Sequence, residues 1–176
     1  LFHVGIITVL LGHFVGLLTP VEVWHLLGIH AHHKQLIAMT LGGVFGVICF
    51  IGLTILLRRR LFNPRIRATS SNMDITVLLL LYVQLILGLG SIFISAQHTD
   101  GEEMLLLMSW AQNIATFDPA QAASAIASVH WIYKLHVFLG MSLFVVFPFS
   151  RLVHVFSVPV KYVGRRYQIV RKKAWH

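Results

Sequence analysis

The chain has 176 residues, of which 57% are hydrophobic and only 11% charged, with a mean hydropathy of +0.79. Ordinary soluble domains carry roughly a quarter charged residues, and a domain of this length has too little interior to hide so much apolar surface. A water-soluble enzyme is therefore excluded, and the expected fold class is an all-α membrane protein. The net charge of +8 and pI near 10.3 do not indicate nucleic acid. The basic residues cluster beside apolar runs instead of striping a polar domain, as cytoplasmic anchoring of loops requires. The lone cysteine, Cys49, excludes an intrachain disulfide and a Cys-x-x-Cys-His haem attachment, and reads as a small buried apolar residue.

Four segments suit a bilayer, which needs roughly 20 apolar residues per helix. They are Leu1–Leu18, Leu36–Leu57, Ile75–Ser95 and Trp131–Phe156. The first lacks the basic start and small-residue cleavage site of a signal peptide. It is short, so further residues ahead of it are expected. No repeat or soluble domain boundary interrupts the chain, and residues 1–176 read as one transmembrane domain.

The connections differ in charge. Arg58, Arg59, Arg60, Arg65 and Arg67 lie between the second and third spans, and Lys161, Arg165, Arg166, Arg171, Lys172 and Lys173 follow the fourth. The loop Thr19–His33 is followed by Lys34 alone, and the loop Ala96–His130 holds Asp100, Glu102, Glu103 and Asp118. The positive-inside rule then puts the start of the first span and the C-terminus in the cytoplasm, and those two loops outside. In the longer loop, GEEMLLLMSWAQNIATF predicts a short amphipathic helix, either in the interface or packed as a cap over the bundle.

Eleven histidines are many for so few charged residues. A polar side chain at membrane depth needs a partner, so those within spans are functional candidates. His3 and His13 lie in the first span, about 15 Å apart along its axis. His136 and His154 lie in the fourth, about 27 Å apart. The spans run in opposite directions, so His13 can face His136 on the outer side and His3 can face His154 on the inner side. Imidazoles from facing helices are the usual axial ligands of haem iron, and two depths favour two stacked haems over one dinuclear centre. His136 and His154 return to one helix face, whereas His3 and His13 stand about 80° apart. Interhelical hydrogen bonding is the competing reading.

Arg151 and Arg60 are candidates for haem propionates, against simple snorkelling to lipid head groups. The run HAHHK reads as solvated loop histidines. Lys34 differs, lying at the outer mouth of the second span near the level of His13. Gly12 removes a side chain beside His13 where a flat ligand can approach. Gly12, His13 and Lys34 therefore form a candidate quinol site.

Four stretches together resemble the gamma subunit of respiratory nitrate reductase, a di-haem cytochrome b membrane anchor. They are LFHVGIITVLLGHFVGLLTP, KQLIAMTLGGVFGVICFIGLTILLRRRLFNPRIRAT, ISAQHTDGEEM and YKLHVFLGMSLFVVFPFSRLVHVFSVPVKYVGRRYQIVR. The resemblance implies that His13 and His136 bind a distal haem b and that His3 and His154 bind a proximal one. It implies a quinol site at Gly12, His13 and Lys34, with electrons passing to an iron–sulfur beta subunit and a molybdenum-containing alpha subunit. It also implies a multi-pass protein of a bacterial or archaeal cytoplasmic membrane, in contact with lipid and quinone. The resemblance implies five transmembrane helices, of which the four spans read here are expected to be the last four, the first lying ahead of this sequence or being absent from a shortened or separately encoded form. Thr116–Val129 matches only loosely and receives no role.

The expected function is thus quinol oxidation by a membrane cytochrome b. The same module serving a sulfur-compound or heterodisulfide-type reductase is the second reading. A haem-free transporter with hydrogen-bonded histidines is the third.

Overall fold

The computed structural model describes residues 1–155. The far end of the fourth expected span at Phe156, and the basic residues from Lys161 onward, lie outside the described residues. The fold class expected from composition holds: the described residues form helices and no strand. The order is α1 (Phe2–Leu18), α2 (Val21–Leu26), α3 (Ala31–Phe62), α4 (Pro64–Ala68), α5 (Asn72–Ser95), α6 (Glu102–Ala115), α7 (Pro119–Ala127) and α8 (Trp131–Val146), followed by two 3₁₀ turns at Phe147–Phe149 and Arg151–Val155.

Three segments, Ala31–Phe62, Asn72–Ser95 and Trp131–Phe149, are long and apolar enough to cross a membrane. α1 is apolar but has 17 residues. Its end follows from Pro20: the residue before a proline is pushed to extended backbone, and Thr19 has ψ 125°. α3, with 32 residues, is about 48 Å long. That exceeds the hydrocarbon core of about 30 Å, so both polar ends project from it.

The long helices form a row. α1 packs on α3, α3 on α5 and α5 on α8. Small residues set the spacing, as in helix pairs within lipid. A Cβ built on Gly5 would lie 2.6 Å from Cβ and backbone N of Cys49, and one on Gly52 would lie 2.5 Å from backbone N of Phe2. The α1 and α3 backbones therefore touch at two levels. The buried cluster of Cys49, Leu53 and Leu85 lies between α3 and α5, flanked by Phe2, Phe50 and Tyr82. Most remaining apolar side chains of α1 and α8 are exposed, as on a surface solvated by lipid.

The connections hold more structure than the sequence indicates. The second span starts at Ala31, not Leu36, so His32, His33 and Lys34 belong to a helical first turn. Asn63 caps α4 by accepting from the backbone N–H of Arg65 and Ile66, and Ser71 and Asp74 form a capping box on α5. In the long loop α6 is the expected amphipathic helix, and it packs as a cap against α1 and α7, with Met108 only 1% exposed. Gly101, which starts it, has φ +87°, and a Cβ there would lie 2.7 Å from Ala31. Both the left-handed backbone and the close approach demand glycine.

The fourth span differs most from expectation. Instead of one helix to Phe156, α8 stops at Val146 and Pro148 opens a 3₁₀ turn. Proline has no N–H for the carbonyl one turn back, and its ring crowds that carbonyl. Ser150 then goes extended, with ψ 170°, and its Oγ accepts from the N–H of Leu152 at 3.2 Å.

Gly5→Val should force α1 from α3 and destabilise the bundle by about 1–3 kcal/mol or more. Gly42→Ala, where a Cβ meets nothing within 4 Å, should be neutral or slightly stabilising. Thermal unfolding midpoints in detergent check both.

Candidate functional site

α1 and α8 lie at opposite ends of the helix row and do not pack extensively on each other. Their histidines nevertheless meet in two pairs. His13 and His136 have ring centroids 6.1 Å apart with planes inclined 34°. His3 and His154 have centroids 6.5 Å apart with planes inclined 78°. These are the pairs expected from depth. The spacing of about 27 Å expected for an unbroken helix does not apply, because His154 does not continue α8: it sits on the second 3₁₀ turn, past the break at Pro148.

Each pair has the span of a bis-imidazole metal ligand set. Two imidazoles bound from opposite sides of one metal atom, each at about 2 Å, have centroids about 6 Å apart. One histidine of each pair has its ring nitrogens arranged to match. Nδ1 of His13 lies 2.8 Å from the carbonyl oxygen of Val9, and Nδ1 of His154 lies 2.7 Å from that of Arg151. With Nδ1–H donating to a carbonyl, Nε2 carries the free lone pair, the usual way a ligand histidine is oriented. His136 has a buried Nδ1 with no hydrogen-bond partner, and its Nε2 meets Nε2 of Gln84 at 3.3 Å. In this ring Nε2 is engaged by Gln84 and Nδ1 is the nitrogen left free, so coordination at Nδ1 would complete it.

Among the described residues no group of three or more His, Cys, Asp or Glu is placed to hold a bare metal ion. Two imidazoles alone undersupply a transition ion, whereas a haem iron brings its own equatorial nitrogens. The donor sets therefore fit haem. Glycines make room for the outer pair: a Cβ on Gly88 of α5 would lie 3.0 Å from Cε1 of His136, and one on Gly140 would lie 3.1 Å from Nε2 of Gln84.

Lys34 is 5% exposed. Its ammonium donates to the carbonyl oxygen of Gly16 at 2.5 Å and to Sδ of Met108 at 2.6 Å, and it sits 4.7 Å from the centre of the Trp24 ring. Among the described residues it forms no ion pair. A buried cation without a carboxylate is costly and marks function more often than support. Gly16 is about one turn beyond Gly12 and His13, about 6 Å and 4.5 Å along α1. Gly12 itself is exposed, and a Cβ there would meet nothing within 4 Å. The structure thus brings Lys34 to the same end of α1 as the His13–His136 pair, through Gly16.

Arg60 and Arg151 converge on a residue that the sequence reading passed over. Nη1 of Arg60 lies 3.4 Å from Asp74 Oδ2, and Nε of Arg151 lies 3.2 Å from Asp74 Oδ1. The available signal was composition: Asp74 is the only acid between Arg58 and Asp100. Gln35 was also missed. It is 1% exposed, and its amide nitrogen donates to Ser95 O, Ser95 Oγ and His98 O, tying the start of α3 to the end of α5. His25, His30, His32 and His33 are exposed and touch in sequence at tilted or edge-on angles, His25–His30, His30–His33 and His32–His33, with centroids 5.6, 6.3 and 5.6 Å apart.

The family described as the nitrate reductase gamma subunit matches residues 1–173, which include all four paired histidines. The chain belongs to the nitrate reductase gamma subunit family. It is 49% identical over 176 residues to the respiratory nitrate reductase 1 gamma chain of Escherichia coli K12, covering 98% of this chain and 76% of the relative. It is 47% identical to the respiratory nitrate reductase 2 gamma chain of the same organism, with the same coverage. The nitrate reductase gamma chain of Bacillus subtilis is 39% identical over 99% of this chain and 77% of its own length.

Gln35→Ala would leave three acceptors without their donor. It should cost about 1–3 kcal/mol, read as a lower unfolding midpoint.

Proposed function

We propose that this chain is the membrane cytochrome b subunit through which a respiratory nitrate reductase oxidises quinol. The observation that carries the reading is the two histidine couples, His13 of α1 with His136 of α8 and His3 of α1 with His154 of the last described 3₁₀ turn, each at the separation of a bis-imidazole site. His3 and His154 would hold a proximal haem b, and His13 and His136 a distal one. Bound there, the haems supply one-electron redox chemistry between the two ends of the bundle.

The chain's own residues do the rest. Val9 and Arg151 carbonyls fix the tautomers and ring orientations of His13 and His154. Arg60 and Arg151 each spend one N–H on Asp74, and a guanidinium has five, so donors remain for propionates. Lys34 has three N–H donors and two are engaged by Gly16 and Met108. The third is available to a quinol oxygen, where the fixed positive charge favours the anion formed as the quinol loses a proton. Gly12 leaves the α1 backbone open to a flat ring arriving from lipid. Met108, Trp24 and α6 keep water from the ammonium and so strengthen its field.

The Arg-rich turn from Arg58 to Arg67 lies at the same end as His3, His154 and Asp74. By the positive-inside rule that end is cytoplasmic, as is the C-terminus, and the Lys34 end faces outward. Oxidation outside with electrons leaving inward separates charge across a bacterial or archaeal cytoplasmic membrane. The acceptors would be an iron–sulfur beta subunit and a molybdenum-containing alpha subunit.

Haem extraction and electron paramagnetic resonance on the purified complex test the ligand reading. Two low-spin b haems per chain are expected, and one or none in an intact preparation refutes it. His136→Ala should remove the distal haem and leave the proximal one, and His154→Ala the reverse. Lys34→Ala should keep both haem spectra while lowering the rate of haem reduction by quinol at least tenfold at subsaturating quinol. Wild-type kinetics would dismiss Lys34 from the site.

A further inference from the structure

Three separate elements meet at Asp74. It sits in the first turn of α5, Arg60 lies in the last turn of α3, and Arg151 opens the last described 3₁₀ turn. The carboxylate is almost closed to solvent, its side chain 5% exposed, and each oxygen takes a different arginine. Its backbone is fixed too: the Asp74 N–H donates to Ser71 Oγ, and Oδ2 accepts from the Ser71 N–H at 3.0 Å. Arg151 in turn supplies the carbonyl that holds Nδ1 of His154 at 2.7 Å. A continuous chain of bonds thus runs from α5 through Asp74 and Arg151 to the imidazole of His154.

The location makes that chain necessary. Pro148 ends α8 before His154 is reached, so the α-helical backbone that orients His136 is absent at His154. The second 3₁₀ turn makes no extensive contact with α1, α3 or α5. The Arg151–Asp74 ion pair ties it directly to α5. Two arginines on one carboxylate also leave one unit of positive charge at this end of the bundle, with the Arg60 side chain 32% and the Arg151 side chain 74% exposed.

We propose that Asp74 is a positioning residue for the inner redox site: it clamps Arg60 and Arg151, fixes the His154 imidazole through the Arg151 carbonyl, and sets the local positive charge. This rests on the reading that His3 and His154 ligate a haem. Removing the carboxylate would free both guanidinium groups and add a net positive charge, which disfavours the oxidised, more positive state of a nearby redox centre.

The test uses the complete complex in its native membrane, with Asp74→Asn, which keeps the side-chain size, and Asp74→Glu. Redox titration followed by visible absorption and low-temperature electron paramagnetic resonance reads each haem separately. In Asp74→Asn the midpoint potential of the His3–His154 haem should rise and its low-spin signal should shift or broaden. The His13–His136 haem should stay unchanged, and Asp74→Glu should return the inner haem toward wild type. A folded Asp74→Asn complex with both haems at wild-type potential and signal overturns the proposal. An equal shift of both haems overturns it too, because that reports a global change. If the Asn variant does not accumulate, Arg151→Gln takes its place. It removes a positive charge and must lower the same potential, and an unchanged value overturns the proposal. A wild-type complex without haem would refute the ligand reading itself. Two haems unaffected by Asp74→Asn would refute only the role of Asp74.

Discussion

The α1 and α3 backbones are in contact at Gly5 and Gly52, and much of the arrangement depends on that contact. Within lipid, water does not drive helices together, so van der Waals contact between small residues sets which helices touch and at what height. Pinning α1 to α3 at two levels fixes both the rotation and the depth of α1. It therefore fixes where His3 and His13 stand, and it carries Gly16 to Lys34 on α3. With α5 beside α3 and α8 beside α5, the row brings His13 of α1 to face His136 of α8, and the 3₁₀ turn beyond α8 brings His154 to face His3. The gap is held open by the order of packing, since the helices that share the histidines are the ones that do not pack on each other.

The two ends of the bundle handle charge in different ways. At the Lys34 end a single cation is buried among a carbonyl, a thioether and an aromatic face, none of which carries negative charge. Desolvation is offset only by dipoles and ring quadrupole, which leaves the ammonium receptive to an anion. At the Asp74 end two arginines share one carboxylate, so most of the desolvation is met by ion pairing and the residual charge is held in place. The first arrangement suits a transient partner and the second a permanent one.

Apolar runs made the long helices legible in the sequence, because a bilayer demands length and hydropathy and little else. The histidine pairs were legible because antiparallel spans convert sequence spacing into depth. What failed to show depended on contacts between distant residues. Pro148 sits in FPFS, which reads as apolar, so its cost to α8 was invisible to a hydropathy argument. His32 and His33 read as loop because HAHHK is polar, yet with Lys34 they start a helix whose end projects from the hydrocarbon. Asp74 looked like part of a polar turn. Only the folded chain brings Arg60, fourteen residues before it, and Arg151, seventy-seven after it, to the same carboxylate. Gln35 was hidden for the same reason, since its three acceptors lie about sixty residues away.

The early end of α8 also relocates a dipole. An α-helix carries the equivalent of about half a negative charge on its last unsatisfied carbonyls. Had α8 run to Phe156, that charge would sit at the water interface and be screened. Because α8 closes at Val146, the charge lies about 15 Å short of that point along the axis, in surroundings where its field is stronger. The nearest cation along the chain is Arg151, already shared with Asp74. The inner end therefore holds a fractional negative pole written into the backbone, which no side-chain substitution other than one at the proline break can move.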